Sequence, residues 1–260
     1  MNKFPMKLYL APVMGGVILA AFLLLGGCAD PVAGVAVATP PDYTILFEDD
    51  FERPDSDSLG NGWGETENQG NPYNAVYLQS GKAVFLGGKD VSGGCIVPQA
   101  RYQSWSLNGP HSRITVDLDQ TLSTTLMVWV NINYSYVIDP ATDPNLWYIG
   151  GYSLTATKVG TGDVFEIEIQ NHNNPGDRIY NSDAFPIAAT DSLSLVIERD
   201  GSDLTLTLVN NTTGASKSVS LPGDPHLATD ADQIVLCGGG LEGSTRLATA
   251  IESFRVEMAE

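Results

Sequence analysis

Residues 47 to 63 read FEDDFERPDSDSLGNGW, from Phe47 to Trp63. An apolar residue opens the stretch, the acids Glu48, Asp49 and Asp50 follow, and Phe51 and Trp63 bracket a segment holding Pro54, Gly60 and Gly62. Proline and glycine at that density break regular structure, while two large aromatic rings at its ends are suited to docking on a sheet. The stretch therefore predicts a first strand, then an irregular loop pinned at both ends.

Downstream, the chain alternates rather than turning with helical period. Ser112–Leu118 puts Ile114, Val116 and Leu118 on one side and Thr115, Asp117 and Asp119 on the other. Thr124–Tyr136 separates Leu126, Val128, Val130 and Ile132 from Met127, Trp129, Asn131 and Asn133, and its mixed apolar start predicts a central strand. Asp163–Gln170 alternates Phe165, Ile167 and Ile169 with Glu166, Glu168 and Gln170. Further short runs are Asn74–Gln79, Lys82–Leu86, Cys95–Val97, Leu146–Ala156, Ser192–Glu198, Leu204–Val209, Ser216–Leu221, Gln233–Cys237 and Ala250–Glu257. About a dozen short strands separated by Gly, Asn and Asp turns predict an all-β, antiparallel two-sheet sandwich.

Three pieces in fixed order carry a resemblance. Asp50-Phe51 with Arg53 and Leu59-Gly60-x-x-Trp63 comes first, Gly151-Tyr152-x-Leu154 is central, and Phe254-Arg255-Val256 closes the chain after a turn at Asp200-Gly201. This plan resembles the concanavalin A-like, or laminin G-like, lectin and glucanase domains. The resemblance implies a jelly-roll sandwich over about residues 43–260.

The 260 residues, 43% hydrophobic and 17% charged, suit one domain of that kind, which at this length buries roughly 70% of its unfolded surface without a metal or disulfide staple. The formal net charge is −18; discounting the leader's Lys3 and Lys7 leaves 11 basic against 31 acidic residues, a net of −20. A basic face for nucleic acid is thereby excluded.

The first 27 residues have Lys3 and Lys7 ahead of an apolar run, Leu8–Leu25, closed by Leu25-Gly26-Gly27-Cys28. They resemble a bacterial lipoprotein signal peptide, which implies cleavage before Cys28, lipidation of its thiol and a membrane anchor. Ala29 in place of an Asp favours delivery to the outer membrane or cell surface of the bacterial envelope. Residues 28–42 then form a Pro-rich flexible tether of about 40 Å at full stretch.

Several constellations are candidates for chemistry. Glu166 and Glu168 stand about 7 Å apart on one strand face, a spacing two carboxylates of a glycoside hydrolase can use. Laminarinase-type glucanases of the resembling fold carry Glu-x-Asp-x-x-Glu; here the central acid is Glu168 and no third acid follows at the matching place. The resemblance also implies a structural Ca2+ between the opening and closing segments, with Glu48, Asp50 and Glu252 as its carboxylates. Sugar rings stack on aromatics beside hydrogen-bonding amides, which singles out Trp129, Asn131, Tyr134, Trp147, Tyr148 and Tyr152. With Cys28 lipidated, Cys95 and Cys237 remain either as a disulfide or as two buried thiols.

The expected function is a surface-anchored, non-catalytic lipoprotein whose sandwich binds glycan or an extracellular protein. A glycan hydrolase or lyase using Glu166 and Glu168 is the alternative, and a structural envelope component without a small ligand is the third.

Overall fold

The computed structural model describes residues 42–66, 76–89, 95–96, 99–102, 111–132, 151–158, 165–173, 177–228, 234–242 and 245–259. In chain order the strands are β1 (Thr44–Asp49), β2 (Gly64–Thr66), β3 (Val76–Gln79), β4 (Lys82–Leu86), β5 (Gly88–Lys89), β6 (Cys95–Ile96), β7 (Gln99–Tyr102), β8 (His111–Asp119) and β9 (Met127–Ile132). The second half supplies β10 (Tyr152–Lys158), β11 (Phe165–Asn171), β12 (Asp177–Asn181), β13 (Leu193–Asp200), β14 (Asp203–Asn210), β15 (Ser216–Leu221), β16 (Ile234–Gly238), β17 (Gly240–Glu242) and β18 (Thr245–Ala259). Among the described residues the one helical turn is Pro225–Ala228.

Two antiparallel sheets account for nearly all of these strands. One runs β15-β14-β13-β8-β18-β4-β3, with β1 and β17 also paired to β18. The other runs β12-β11-β10-β9-β16-β7-β2. Period-two alternation sends Ile114, Val116 and Leu118 of β8, Leu195 and Ile197 of β13, and Phe254 and Val256 of β18 into one core. Val128 and Val130 of β9, Leu154 of β10, Ile167 and Ile169 of β11 and Leu236 of β16 enter the same cluster from the other sheet. Each such side chain, fully buried, contributes about 1.5–3 kcal/mol of transfer free energy, which sets the register strand by strand.

The opening segment docks as its aromatics predict. Phe51 is fully buried and Trp63 nearly so, with the Trp63 ring edge-on to Phe254 at 5.3 Å between centroids and to Phe47 at 5.9 Å. Asp49, itself buried, ties the loop together. Its carboxylate accepts from Phe51 N at 2.9 Å, from the Arg53 guanidinium at 2.6 Å and 3.1 Å, and from Asn61 Nδ2 at 3.1 Å. Those bonds hold Phe51 at φ +55°, a left-handed conformation that an aromatic residue adopts only against a steric cost.

The strands depart from the sequence expectation at several places, β2, β5, β7, β12 and β17 being additional to the runs it names. The closing strand begins at Thr245 rather than Ala250, because Thr245–Leu247 pair with β17 although their sequence shows no alternation. The short edge strand β12 has only Ile179 as an apolar marker within Asp177–Asn181, too little periodicity to read.

Candidate functional site

The inner side chains of β9, β10 and β11 fill the core, so their alternate residues stand on the outer face of the second sheet. From β9 these are Met127, Trp129 and Asn131; from β10, Ser153, Thr155 and Thr157; from β11, Glu166, Glu168 and Gln170. β12 adds Arg178 and Tyr180 to the same face, since the intervening Ile179 packs against the core. Antiparallel pairing aligns these residues in rows that cross the strands. One row is Trp129–Thr155–Glu168–Tyr180, and the next is Asn131–Ser153–Gln170–Arg178.

Apart from Tyr180, which lies beyond its lining, these residues floor an open groove of about 400 Å³. Its lining comprises Trp129, Asn131, Ser153, Thr155, Thr157, Glu168, Gln170, His172, Arg178 and Cys237. A half-buried indole therefore sits beside a field of hydroxyls, amides and one ion pair, the mixture by which small polar ligands are oriented.

Hydrogen bonds hold that field in place. Ser153 Oγ donates to Asn131 Oδ1 at 2.6 Å, and Asn131 Nδ2 faces Cys237 Sγ at 3.6 Å. A hydroxyl has one proton, so the 2.7 Å contact between Ser153 Oγ and His172 Nε2 requires the imidazole to donate from Nε2. Burial pushes His172 below its usual range, against the opposite pull of the Glu168 charge, and so favours the neutral imidazole, whose proton the Ser153 contact places on Nε2. Arg178 grips Glu168 with its fork, Nε to Oε1 at 2.5 Å and Nη2 to Oε2 at 2.6 Å. The bidentate bond raises Arg178 further above its already high value.

No family model and no curated protein matches this chain. Solved structures do match. The endo-1,3-beta-glucanase from Streptomyces sioyaensis superposes with a TM-score of 0.56 at 16% identity, over 86% of this chain and 100% of that one. The laminarinase from Rhodothermus marinus gives 0.55 at 13% identity, over 85% and 100%. Winged bean acidic lectin, complexed with methyl-alpha-D-galactose, gives 0.53 at 10% identity, over 84% and 100%. The fold is a concanavalin A-like jelly roll.

Within this jelly roll the expected ligand residues separate. Trp129 and Asn131 lie in the groove. Tyr152 does not: it is fully buried, on the inner face with Leu154 and Ala156, and so is a core residue rather than a platform for sugar. Burial, with the Asp224 charge beside it, pushes its phenol up. Tyr134, Trp147 and Tyr148 lie outside the described residues, as does Cys28. Cys237 is buried on the groove floor, and the side chain of Cys95, its expected disulfide partner, lies outside those described.

Of the two catalytic candidates, Glu168 is engaged. Both Glu168 oxygens are held by Arg178, and Gln170, an amide, occupies the next same-face position. The three expected calcium ligands do not form a cage. Glu48 is bound by Arg255, Glu252 by Lys82 Nζ at 2.8 Å, and Asp50 Oδ1 caps the Glu52 N–H at 3.0 Å. Among the described residues no three His, Cys, Asp or Glu side chains gather as metal ligands would.

Ser153, Thr155, Gln170, His172, Arg178 and Tyr180 were not singled out by sequence reasoning as ligand residues. The polar alternation Ser153-x-Thr155-x-Thr157 carried a signal for three of the groove's positions; His172 and Arg178 depend on strand register across a loop, which no local pattern carries.

Proposed function

We propose that this protein is a non-catalytic glycan-binding module, displayed on the bacterial envelope by a lipid on Cys28 and a tether through residue 42. The observation that carries the reading is the groove itself: Trp129 offers a ring for stacking, and Asn131, Ser153, Thr155, Gln170 and His172 offer donors and acceptors at its side. The glucanase and lectin neighbours support glycan as the ligand class.

Binding without turnover is favoured by the state of the acids. Hydrolysis of a glycosidic bond needs one carboxyl to give a proton and a second to attack or activate water. Glu168 is occupied by Arg178, and Gln170 has no acidic proton, which leaves Glu166 alone among the acids of this face of β11.

The test is a glycan array probed with the full-length chain in detergent, in calcium and in EDTA, together with a reducing-end assay on every glycan bound. Binding weakened at least about tenfold in Trp129→Ala, with no reducing ends released by the wild type, is the expected result. Turnover that disappears in Glu166→Gln establishes an enzyme instead, and no binding to any glycan overturns the reading. Labelled fatty acid incorporated by the wild type and not by Cys28→Ala checks the anchor.

A further inference from the structure

Tyr180 is the most exposed large apolar side chain among the described residues, at 62%. A tyrosine ring held on a paired strand and left that open is unusual enough to ask what it faces. It belongs to the outer face, because Arg178 two residues earlier reaches into the groove and Ile179 between them packs against the core. It also belongs to a particular row: Tyr180 is opposite Glu168, Glu168 opposite Thr155, and Thr155 opposite Trp129.

Trp129 and Tyr180 therefore mark the two ends of one line across four hydrogen-bonded strands. Three strand-to-strand steps of about 4.8 Å separate them by roughly 14 Å. That is well beyond the width of one sugar ring. Between the two aromatics the floor is polar, with Thr155 and the Glu168–Arg178 pair in one stretch and Ser153 and Gln170 alongside.

Resting on the glycan-binding reading above, we infer that Tyr180, just outside the groove's lining, is a second stacking platform and that a linear oligosaccharide of at least three sugars lies across the strands from Trp129 in the groove to Tyr180 beyond it. A monosaccharide can reach one aromatic and not both, so affinity is expected to rise with chain length and then level. The Arg178–Glu168 fork is the rigid middle of the track: it presents the guanidinium edge to ring hydroxyls while its own two charges cancel. This arrangement suits a neutral chain, since the domain's net charge repels acidic polymers.

The experiment is an array of linear glucose, galactose, mannose and xylose oligomers, each at one to six units, probed with the full-length chain, Tyr180→Ala and Tyr180→Phe. Expected are wild-type binding to one series from the trimer upward, a loss of at least about fivefold in Tyr180→Ala for the longer oligomers, and retention in Tyr180→Phe, which keeps the ring. Equal binding of monomer and hexamer, or longer oligomers held equally by Tyr180→Ala, overturns this inference while leaving glycan binding intact. No binding in any series overturns both. Because Tyr180 is exposed, unchanged melting temperatures are expected for both variants.

Discussion

Trp63 donates its indole N–H to Asp49 Oδ2 at 2.8 Å, joining two buried residues fourteen positions apart. Asp49 lies at the end of β1, on the strand that pairs with β18, so this one bond couples the opening loop to the sheet. Burial alone would raise the Asp49 carboxyl, yet hydrogen bonds from Arg53, Phe51, Asn61 and Trp63 outweigh it and hold the group below its ordinary value of 3.8. In Asp49→Asn the acceptors are halved and Arg53 loses its counter-charge; the expected loss is about 2–4 kcal/mol, read from urea unfolding at pH 7.

The same carboxyl sets an acid dependence. Below 3.8 the unfolded chain takes up the proton while the folded one, with its lower value, does not, so stability falls as pH falls through the folded value. The gap between wild type and Asp49→Asn is expected to be constant above pH 5 and to narrow below 3.8. A gap that stays constant to pH 2 would refute the assignment.

His172 gives a second dependence at milder pH. Its imidazole is depressed by burial from 6.5, so below 6.5 the unfolded state is protonated first and stability declines until the folded value is passed. Glu168 and Arg178 are the charged groups beside it in the groove, and the Glu168 charge opposes the effect of burial. In His172→Gln the slope of stability between pH 7 and pH 5 is expected to flatten, measured by chemical unfolding at each pH.

Gly239 turns the chain between β16 and β17 at φ +77°, and a β-carbon there would lie 2.5 Å from the Phe85 carbonyl oxygen and 2.7 Å from the Gly87 nitrogen. Neither neighbour is a side chain able to swing away. Gly239→Ala is expected to cost more than about 1 kcal/mol, and to weaken ligand binding through Cys237 and Trp129 on the adjoining strands, read by melting temperature and by affinity on the same preparation.

Trp129→Ala removes the groove's ring from a half-buried position on a central strand. Affinity for the bound glycan is expected to drop at least about tenfold, or 1.4 kcal/mol, with a smaller change in stability than Asp49→Asn produces.

Much of this architecture was legible because burial imposes a period of two on β8, β9, β11, β13 and β14, and Phe51 and Trp63 announced a docked loop. The site was legible only in part. Trp129 and Asn131 follow from alternation within β9 alone. Tyr152 misled because aromatic type was weighed over its phase: it alternates with Leu154 and Ala156, which mark it as inward-facing. Tyr180 and the Ser153–His172 bond escaped because they depend on register between strands, a relation that no window of a single strand contains. The acidic trio Glu48, Asp50 and Glu252 suggested a metal, while Arg255 and Lys82, which balance two of them, are brought near only by sheet pairing.

β18 pairs with β17, β4, β1 and β8, and every one of these partners precedes it in the chain. During synthesis, none of those ladders can close until residues 245–259 have left the ribosome. The hairpins β10-β11, β13-β14 and β14-β15 can form earlier, so the middle of the first sheet is the part whose closure waits for the last residues of β18.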